Sequence, residues 1–127
     1  MEADINGPQR KILGASVRPA KHAFGSEGIA LKDGRTLPFI VTRSWSAPAG
    51  HYPEQWFLVH PDTNEVHYES PTTEISVFGL QAISEFKTEV DDRIELDAGK
   101  YLIVFALGGL KGGEIEVEAG EVSTEAA

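Results

Sequence analysis

Apolar and polar residues alternate with a period of two along most of this chain, and turn residues interrupt the alternation every eight to twelve positions. Alternation of this kind is typical of strands with one buried face, and frequent turns are typical of an all-β sandwich or barrel. No stretch longer than ten residues keeps apolar residues at helical spacing. The pattern therefore predicts a single-domain antiparallel β-sandwich of jelly-roll type, with a small barrel as the second choice.

About ten strands are predicted in a core domain of residues 10–120, between a loose N-terminal segment, 1–9, and a flexible acidic tail, 121–127. Asp33-Gly34 and Pro61-Asp-Thr-Asn64 are turn sequences and predict two hairpins, over 28–46 and 55–70. Further strands are expected at 11–19, 73–80, 84–90, 93–96, 101–107 and 113–120. The run 101–107 is apolar at every position and predicts a central strand covered on both faces.

The second of these hairpins, over 55–70, carries most of the side chains that could bind a ligand. If its turn closes symmetrically, Leu58 lies opposite His67 and Phe57 opposite Tyr68. One face is then a core surface of Phe57, Val59, Val66 and Tyr68. The other face holds Trp56, Leu58, His60, Glu65, His67 and Glu69, with His60 and His67 as diagonal neighbours.

This second face is unusually apolar for a surface that meets only water. Three interpretations stay open: histidines hydrogen-bonded to nearby carboxylates, a small-molecule or peptide surface anchored by Trp56, and a metal site, which ranks last because metals want about three ligands and a supporting shell. The candidate ligand-binding residues are the members of this face and two residues just before it, namely Trp56, Leu58, His60, Glu65, His67, His51 and Tyr52. No bound metal or cofactor is expected.

Composition narrows the function classes. The chain has no cysteine, which excludes disulfides, thiol nucleophiles and cysteine-based metal sites. Its net charge of −9 argues against nucleic-acid binding, although residues 1–43 carry seven Lys/Arg against four Asp/Glu and residues 44–127 carry four against sixteen. The longest apolar run is far too short to cross a bilayer, and the N-terminus lacks a signal-peptide pattern. We expect no membrane contact and a cytoplasmic location.

The stretch PAGHYPEQWFLVHPDTNEVHYE resembles the first motif of the cupins, in which a proline/glycine turn precedes spaced histidines, a glutamate and an aromatic-rich strand. Gly50, His51 and Glu54 fall near the glycine, the first histidine and the glutamate of that motif. Pro53 stands where the second histidine would be, and no histidine follows His67 to supply the last metal ligand. The resemblance implies a metal-free sandwich of cupin-like shape.

Two classes of function follow. The first is a non-catalytic module that binds a small molecule or another protein, and its apolar outward residues predict a homodimer. The alternative is a cupin-like enzyme that acts on a small molecule through the histidine-bearing hairpin, with or without assistance from a metal. No nucleophile turn, phosphate loop or zinc-protease motif occurs in the sequence.

Overall fold

The computed structural model describes residues 10–21 and 27–122, which form ten β-strands and no helix. The strands are β1 (Lys11–Pro19), β2 (Ile29–Lys32), β3 (Arg35–Thr36), β4 (Phe39–Ser46), β5 (Gly50–Val59), β6 (Val66–Glu69), β7 (Thr73–Val77), β8 (Ser84–Val90), β9 (Gly99–Leu107) and β10 (Leu110–Glu121). They build a three-stranded sheet of order β1-β4-β8 and a seven-stranded sheet of order β3-β2-β10-β9-β5-β6, with β7 also paired to β5. The predicted all-β, two-sheet architecture is confirmed, and the jelly-roll type within it stays a prediction.

Alternation along the strands decides which side chains meet between the sheets. On β4 the buried positions are every second residue from Phe39 to Trp45, and on β9 they run in the same way from Tyr101 to Leu107. Strand β9 lies between β10 and β5, so its predicted central place is confirmed. Its other face is only half-buried at Leu102, Val104 and Ala106, because no further layer among residues 10–21 and 27–122 covers the outside of the seven-stranded sheet.

The hairpin predicted over 28–46 is correct at its turn and wrong in its second arm. Asp33 and Gly34 both have positive φ, 56° and 77°, as the tight Asp-Gly hairpin turn requires. The chain leaves the seven-stranded sheet after Thr36, and β4 instead pairs with β1 and β8 in the other sheet. Pro38 lies in this crossing, where its missing N–H costs no ladder hydrogen bond.

Three other expectations change. Residues 93–96 are not a strand: they make only a bridge between Arg35 and Glu95 and are anchored by Thr36, whose hydroxyl oxygen accepts from the Ile94 N–H at 3.0 Å. Strand β10 pairs antiparallel with β9 but parallel with β2, so the sheets are not wholly antiparallel as predicted. The segments 1–9 and 123–127 lie outside the described residues, and β10 extends to Glu121.

One tight packing contact depends on a glycine in β10. Gly112 lies at the bulge between Lys111 and Gly113, where the strand shifts register against β9. The Trp45 ring occupies the space that a Cβ at this position would fill. The glycine-rich stretch 108–113 therefore combines a turn at Gly108 and Gly109 with a bulge that admits the largest core side chain. Within the described part of the chain, no helix is long and apolar enough to span a bilayer.

An ion pair in the middle of the core joins the two sheets. Arg43 on β4 and Glu54 on β5 are 4% and 2% exposed. The guanidinium donates to both carboxylate oxygens, from Nε to Oε2 at 2.8 Å and from Nη2 to Oε1 at 2.5 Å. Trp45, also on β4, donates its indole N–H to Glu54 Oε2 at 2.8 Å. Three charge-assisted hydrogen bonds therefore cross the gap between the sheets at one carboxylate.

Removal of one partner from this pair should destabilise the fold strongly. Arg43→Met leaves the Glu54 charge buried and uncompensated, and we expect a loss of about 3–5 kcal/mol in the free energy of unfolding. The double variant Arg43→Met/Glu54→Leu should recover most of that loss, since it removes both buried charges. Urea unfolding measures all of these values.

The control is Arg35→Met, which breaks the exposed Arg35–Glu95 pair, where the side chains are 53% and 80% accessible. That variant should change stability by less than about 1 kcal/mol. Equal losses of unfolding free energy in Arg43→Met and Arg35→Met would show that the Arg43–Glu54 pair stabilises the fold no more than an exposed pair does.

Candidate functional site

The predicted faces of the hairpin over 55–70 are exchanged at Trp56, Leu58 and Val66, whereas Val59 is buried and Tyr68 packs against the core, as predicted. Trp56 and Leu58, expected on the outer face, are 2% and 0% exposed and belong to the core between the sheets. Val66, expected in the core, is 52% exposed. Strand β6 carries a bulge at His67, so that Leu58 lies opposite Tyr68 rather than His67. The extra residue moves Tyr68 onto the same face as Trp56, and their ring centroids are 5.5 Å apart.

His60 and His67 do lie close together, as the diagonal pairing predicted. Their ring centroids are 6.4 Å apart, and both rings meet the edge or face of Tyr101, at 6.3 and 5.3 Å. The Nδ1 atom of His60 accepts from the backbone N–H of Asp62 at 3.1 Å, so this side chain stabilises the hairpin turn. The pair therefore packs as part of an aromatic cluster at the turn end of the hairpin.

The remaining predicted site residues are separated from that cluster. His51 is in β5 and exposed, with its Nδ1 atom 2.8 Å from Ser76 Oγ on β7. Tyr52 is half-buried, donates to the Pro48 carbonyl at 2.7 Å and lies under the Arg10 guanidinium. Glu65 is exposed beside the turn. The structure thus brings His60 and His67 together and does not bring His51 to them.

A cleft of about 320 Å³ opens at the edge of the sandwich where β6 and β7 of one sheet face β8 of the other. It is the depression that reaches the buried ion pair. Its lining contains two aromatic rings, three Ser/Thr residues, a proline, a valine and five charged side chains: Arg43, Glu54, Trp56, Tyr68, Ser70, Pro71, Thr73, Thr88, Glu89, Val90, Asp91 and Asp92. Small-molecule sites commonly combine apolar walls with a few fixed polar groups in this way.

The floor of the cleft is preorganised by Arg43. Besides its bonds to Glu54, its Nη1 atom donates to the Val41 carbonyl at 3.2 Å and to Thr88 Oγ1 at 2.7 Å. Arginine carries five N–H donors, and these bonds use four of them, so one N–H on Nη2 has no acceptor among the described residues. The bonds to Glu54, Val41 and Thr88 therefore hold the Arg43 guanidinium in a fixed position at the floor of the cleft.

Tyr68 and Asp92 close one side of the cleft. The Tyr68 hydroxyl donates to Asp92 Oδ2 at 2.8 Å, which links the hairpin to the segment after β8. Burial, followed by the hydrogen bond and the negative charge of Asp92, raises the pKa of Tyr68 to about 12. The phenol is therefore neutral and a donor throughout the physiological pH range.

The negative charge of the cleft is concentrated at its rim. Glu89, Asp91 and Asp92 are exposed, whereas the charges of Arg43 and Glu54 neutralise each other at the floor. Sequence reasoning missed this site because it placed Trp56 on the outside and treated Glu54 only as part of a metal motif. The usable signal was a charged residue on an apolar face in each of two strands, with Arg43 two residues before Trp45 and Glu54 two residues before Trp56.

The metal ligands of the cupin motif are not assembled. Within residues 10–21 and 27–122, no three His, Asp or Glu side chains are grouped so that they could hold a metal ion. Glu54, which falls near the glutamate of the motif, instead accepts from Arg43 and Trp45. The exposed His51 points to Ser76 rather than to Glu54.

The protein is an all-β sandwich with a cleft at its edge. Comparisons with known proteins support the fold alone. No protein-family model and no curated protein matches the sequence. Among solved structures, an alkylpurine DNA glycosylase, AlkC, from Pseudomonas fluorescens, bound to DNA with an abasic site analog, is 14% identical with a TM-score of 0.59. The alignment covers 89% of this chain and 31% of the glycosylase, so the chain spans about a third of that protein's length.

The C-terminal domain of Wzt is also similar, with 14% identity and a TM-score of 0.57 over 91% of this chain and 75% of that one. A β-glucosidase from Listeria innocua aligns at 11% identity over 84% of this chain and 16% of its own, with a TM-score of 0.49. At 14% identity, the glycosylase and the Wzt domain indicate a shared fold and no shared function.

An alkaline titration tests the link between Tyr68 and Asp92. Tyr68 should ionise near pH 12, and Asp92→Asn should lower its pKa toward 10, because the carboxylate charge is lost while part of the burial remains. Carbon-13 NMR of the tyrosine rings follows each phenol, with Tyr68→Phe used to assign the signal. An equal Tyr68 pKa in the unmodified protein and in Asp92→Asn would show that the link is absent, because burial alone would then account for the shift.

The raised pKa of Tyr68 also determines the direction in which stability changes with pH. The raised pKa means that the unfolded chain ionises its phenol first, so the Tyr68 contribution is complete below pH 10 and is lost as pH rises from about 10 to about 12. Tyr68→Phe should show a weaker loss of stability in that window.

Proposed function

We propose that this chain is a non-catalytic β-sandwich module that binds a small molecule in the edge cleft. The observation that carries the proposal is the cleft itself, whose floor is a buried ion pair with one unused N–H donor and whose wall includes Tyr68. We further expect the protein to work in the cytoplasm.

Binding, rather than catalysis, suits the chemistry of these groups. Arg43 and Glu54 satisfy each other in a bidentate pair, so neither is poised to exchange a proton with a substrate. The Tyr68 phenol has a raised pKa, which makes it a poor general acid or base near neutral pH. Fixed donors and acceptors of this kind orient a ligand without reacting with it. The cupin-like enzyme is less favoured, because His51 lies apart from the pair of His60 and His67.

DNA binding by the glycosylase is a property of that protein, and we do not extend it to this chain. The net charge of −9 would repel backbone phosphates. The rim of the cleft, with three exposed carboxylates, is among the least suitable surfaces for a nucleic acid.

A fragment screen by amide and indole NMR tests the proposal. The library holds equal numbers of cationic, neutral and anionic fragments that fit the volume of about ten water molecules. We expect the binding fragments to shift Trp56, Ser70 and Thr88 signals. Thr73→Phe should abolish these shifts, because Thr73 lines the cleft and a larger ring there fills it.

Glu74→Phe is the matched control for this screen. Glu74 is the next residue on β7, is exposed and does not line the cleft. Its variant should retain the shifts of the unmodified protein. The proposal fails if no fragment of any charge perturbs the cleft, or if the two phenylalanine variants respond alike.

A specific feature favours a second candidate function, weak self-association. The loop between β7 and β8, residues 78–83, exposes three large apolar side chains: Phe78 at 76%, Leu80 at 52% and Ile83 at 71%. Residues 75–84 contain no charged side chain, although 24% of the chain is charged. With a net charge of −9, two copies repel each other over most of their surface, and this uncharged loop is where a second copy meets the least repulsion.

The size of the loop limits the strength of such a dimer. Even a large aromatic side chain buries only about 150–250 Å², so three residues fall short of the roughly 800 Å² per partner of a stable interface. We therefore propose a homodimer that forms only at high protein concentration.

Sedimentation across a range of protein concentrations tests this dimer. Phe78→Ser/Ile83→Ser should keep the protein monomeric at every concentration, and added salt should strengthen association of the unmodified protein by screening like charges. Leu13→Ser/Val66→Ser removes two similarly exposed apolar side chains elsewhere and should leave the dimer intact. A monomer at all concentrations, or equal effects of the two double variants, would rule the dimer out.

A further inference from the structure

We propose that the ligand of the edge cleft is a small hydroxylated amine, with its ammonium group at the carboxylate rim and its oxygen on the Arg43 N–H at the floor. This inference rests on the proposed function and assigns a chemical class to the same cleft. Two independent observations carry it: the charge of the rim and the unused donor of the buried guanidinium.

The rim selects for positive charge. Glu89, Asp91 and Asp92 are exposed along the end of β8 and the residues that follow it, and all three line the cleft. Arg43 contributes no free positive charge to oppose them, because Glu54 neutralises it in the core. Asp92 accepts one hydrogen bond from Tyr68, and a carboxylate has capacity for more acceptor contacts. A protonated amine therefore gains attraction that a neutral or anionic ligand lacks.

The floor selects for an oxygen acceptor. Arg43 is 4% exposed, and four of its five N–H donors are held by Glu54, Val41 and Thr88. A buried donor without an acceptor costs free energy unless water or a ligand satisfies it. A hydroxyl oxygen satisfies it without bringing a second negative charge beside Glu54, whereas a carboxylate in that place would compete with Glu54 for the same guanidinium.

The wall suits the carbon chain between these two groups. Trp56 and Tyr68 line the cleft and pack against each other at 5.5 Å, so the middle of the site is apolar. Aromatic rings also attract ammonium groups through their π-faces. A short aliphatic amine with a terminal hydroxyl matches this spatial order: its hydroxyl meets the floor, its carbon chain the apolar wall and its ammonium group the rim.

Three probes of equal length isolate the role of charge. They are 4-aminobutan-1-ol, butane-1,4-diol and 4-hydroxybutanoate, which share a terminal hydroxyl and differ only at the other end. At pH 7.5 the amine is protonated, since alkyl amines titrate near 10.4. NMR titrations at fixed ionic strength should show the amine shifting the Trp56 and Thr88 signals, with the diol at least about tenfold weaker, a difference of roughly 1.4 kcal/mol, and the hydroxybutanoate weaker still.

Two triple variants separate the rim from the general negative charge of the protein. Glu89→Gln/Asp91→Asn/Asp92→Asn should weaken the amine by at least about tenfold and leave the diol unchanged. Glu65→Gln/Glu116→Gln/Glu118→Gln removes the same number of exposed carboxylates away from the cleft and should leave the amine affinity within about twofold. Tyr68→Phe shows how much of the weakened amine binding in the first triple variant comes only from loss of the hydrogen bond between Tyr68 and Asp92.

Each outcome decides a different claim. Equal weakening in the two triple variants would mean that the amine follows bulk charge, and the inference is then wrong. Equal binding of the diol or the hydroxybutanoate within the cleft would overturn the amine class and leave the proposed small-molecule module standing. If no probe and no fragment of the screen shifts the cleft signals, the proposed function itself is wrong.

Discussion

The ion pair between Arg43 and Glu54 is the constraint on which the arrangement of this sandwich depends. Each residue belongs to a different sheet, and the bond between them is buried among large apolar side chains. A buried charge without its partner costs several kcal/mol, so the two sheets can pack only in the offset that brings Arg43 to Glu54. The pair thereby fixes how β4 lies over β5, and Trp45 reinforces the same offset through its bond to Glu54.

The position of the pair also explains why the cleft exists. Hydrophobic side chains fill the core on one side of the pair, whereas the open edge between β6, β7 and β8 leaves its other side accessible to a ligand. The bond from Tyr68 to Asp92 bridges that edge and keeps the opening narrow. A structural element of the core is thus the floor of the candidate site, so that stability and binding share the same side chains.

The sequence predicted the strands well, because alternation and turn residues are local signals. The strands at 11–19 and 84–90 match β1 and β8 at both ends. The faces of β5 could not be predicted, since the four residues 56–59 are all apolar and carry no alternation. The bulge at His67 then shifted the register of β6 against β5 by one residue from the predicted pairing. The partner of Glu54 lies eleven residues away in another sheet, and only tertiary packing brings the two together.

Hydrogen exchange of the Arg43 Nε–H and the Trp45 indole N–H measures how firmly Glu54 holds the two side chains of β4. Both donate to Glu54 Oε2 in the core, so they should exchange as slowly as the amides of β9 and become exposed only with global unfolding. The Nε–H of exposed Arg35 provides the fast reference within the same sample. Exchange of the Arg43 Nε–H at the rate of Arg35 would contradict this arrangement, because Glu54 would then not hold the buried guanidinium.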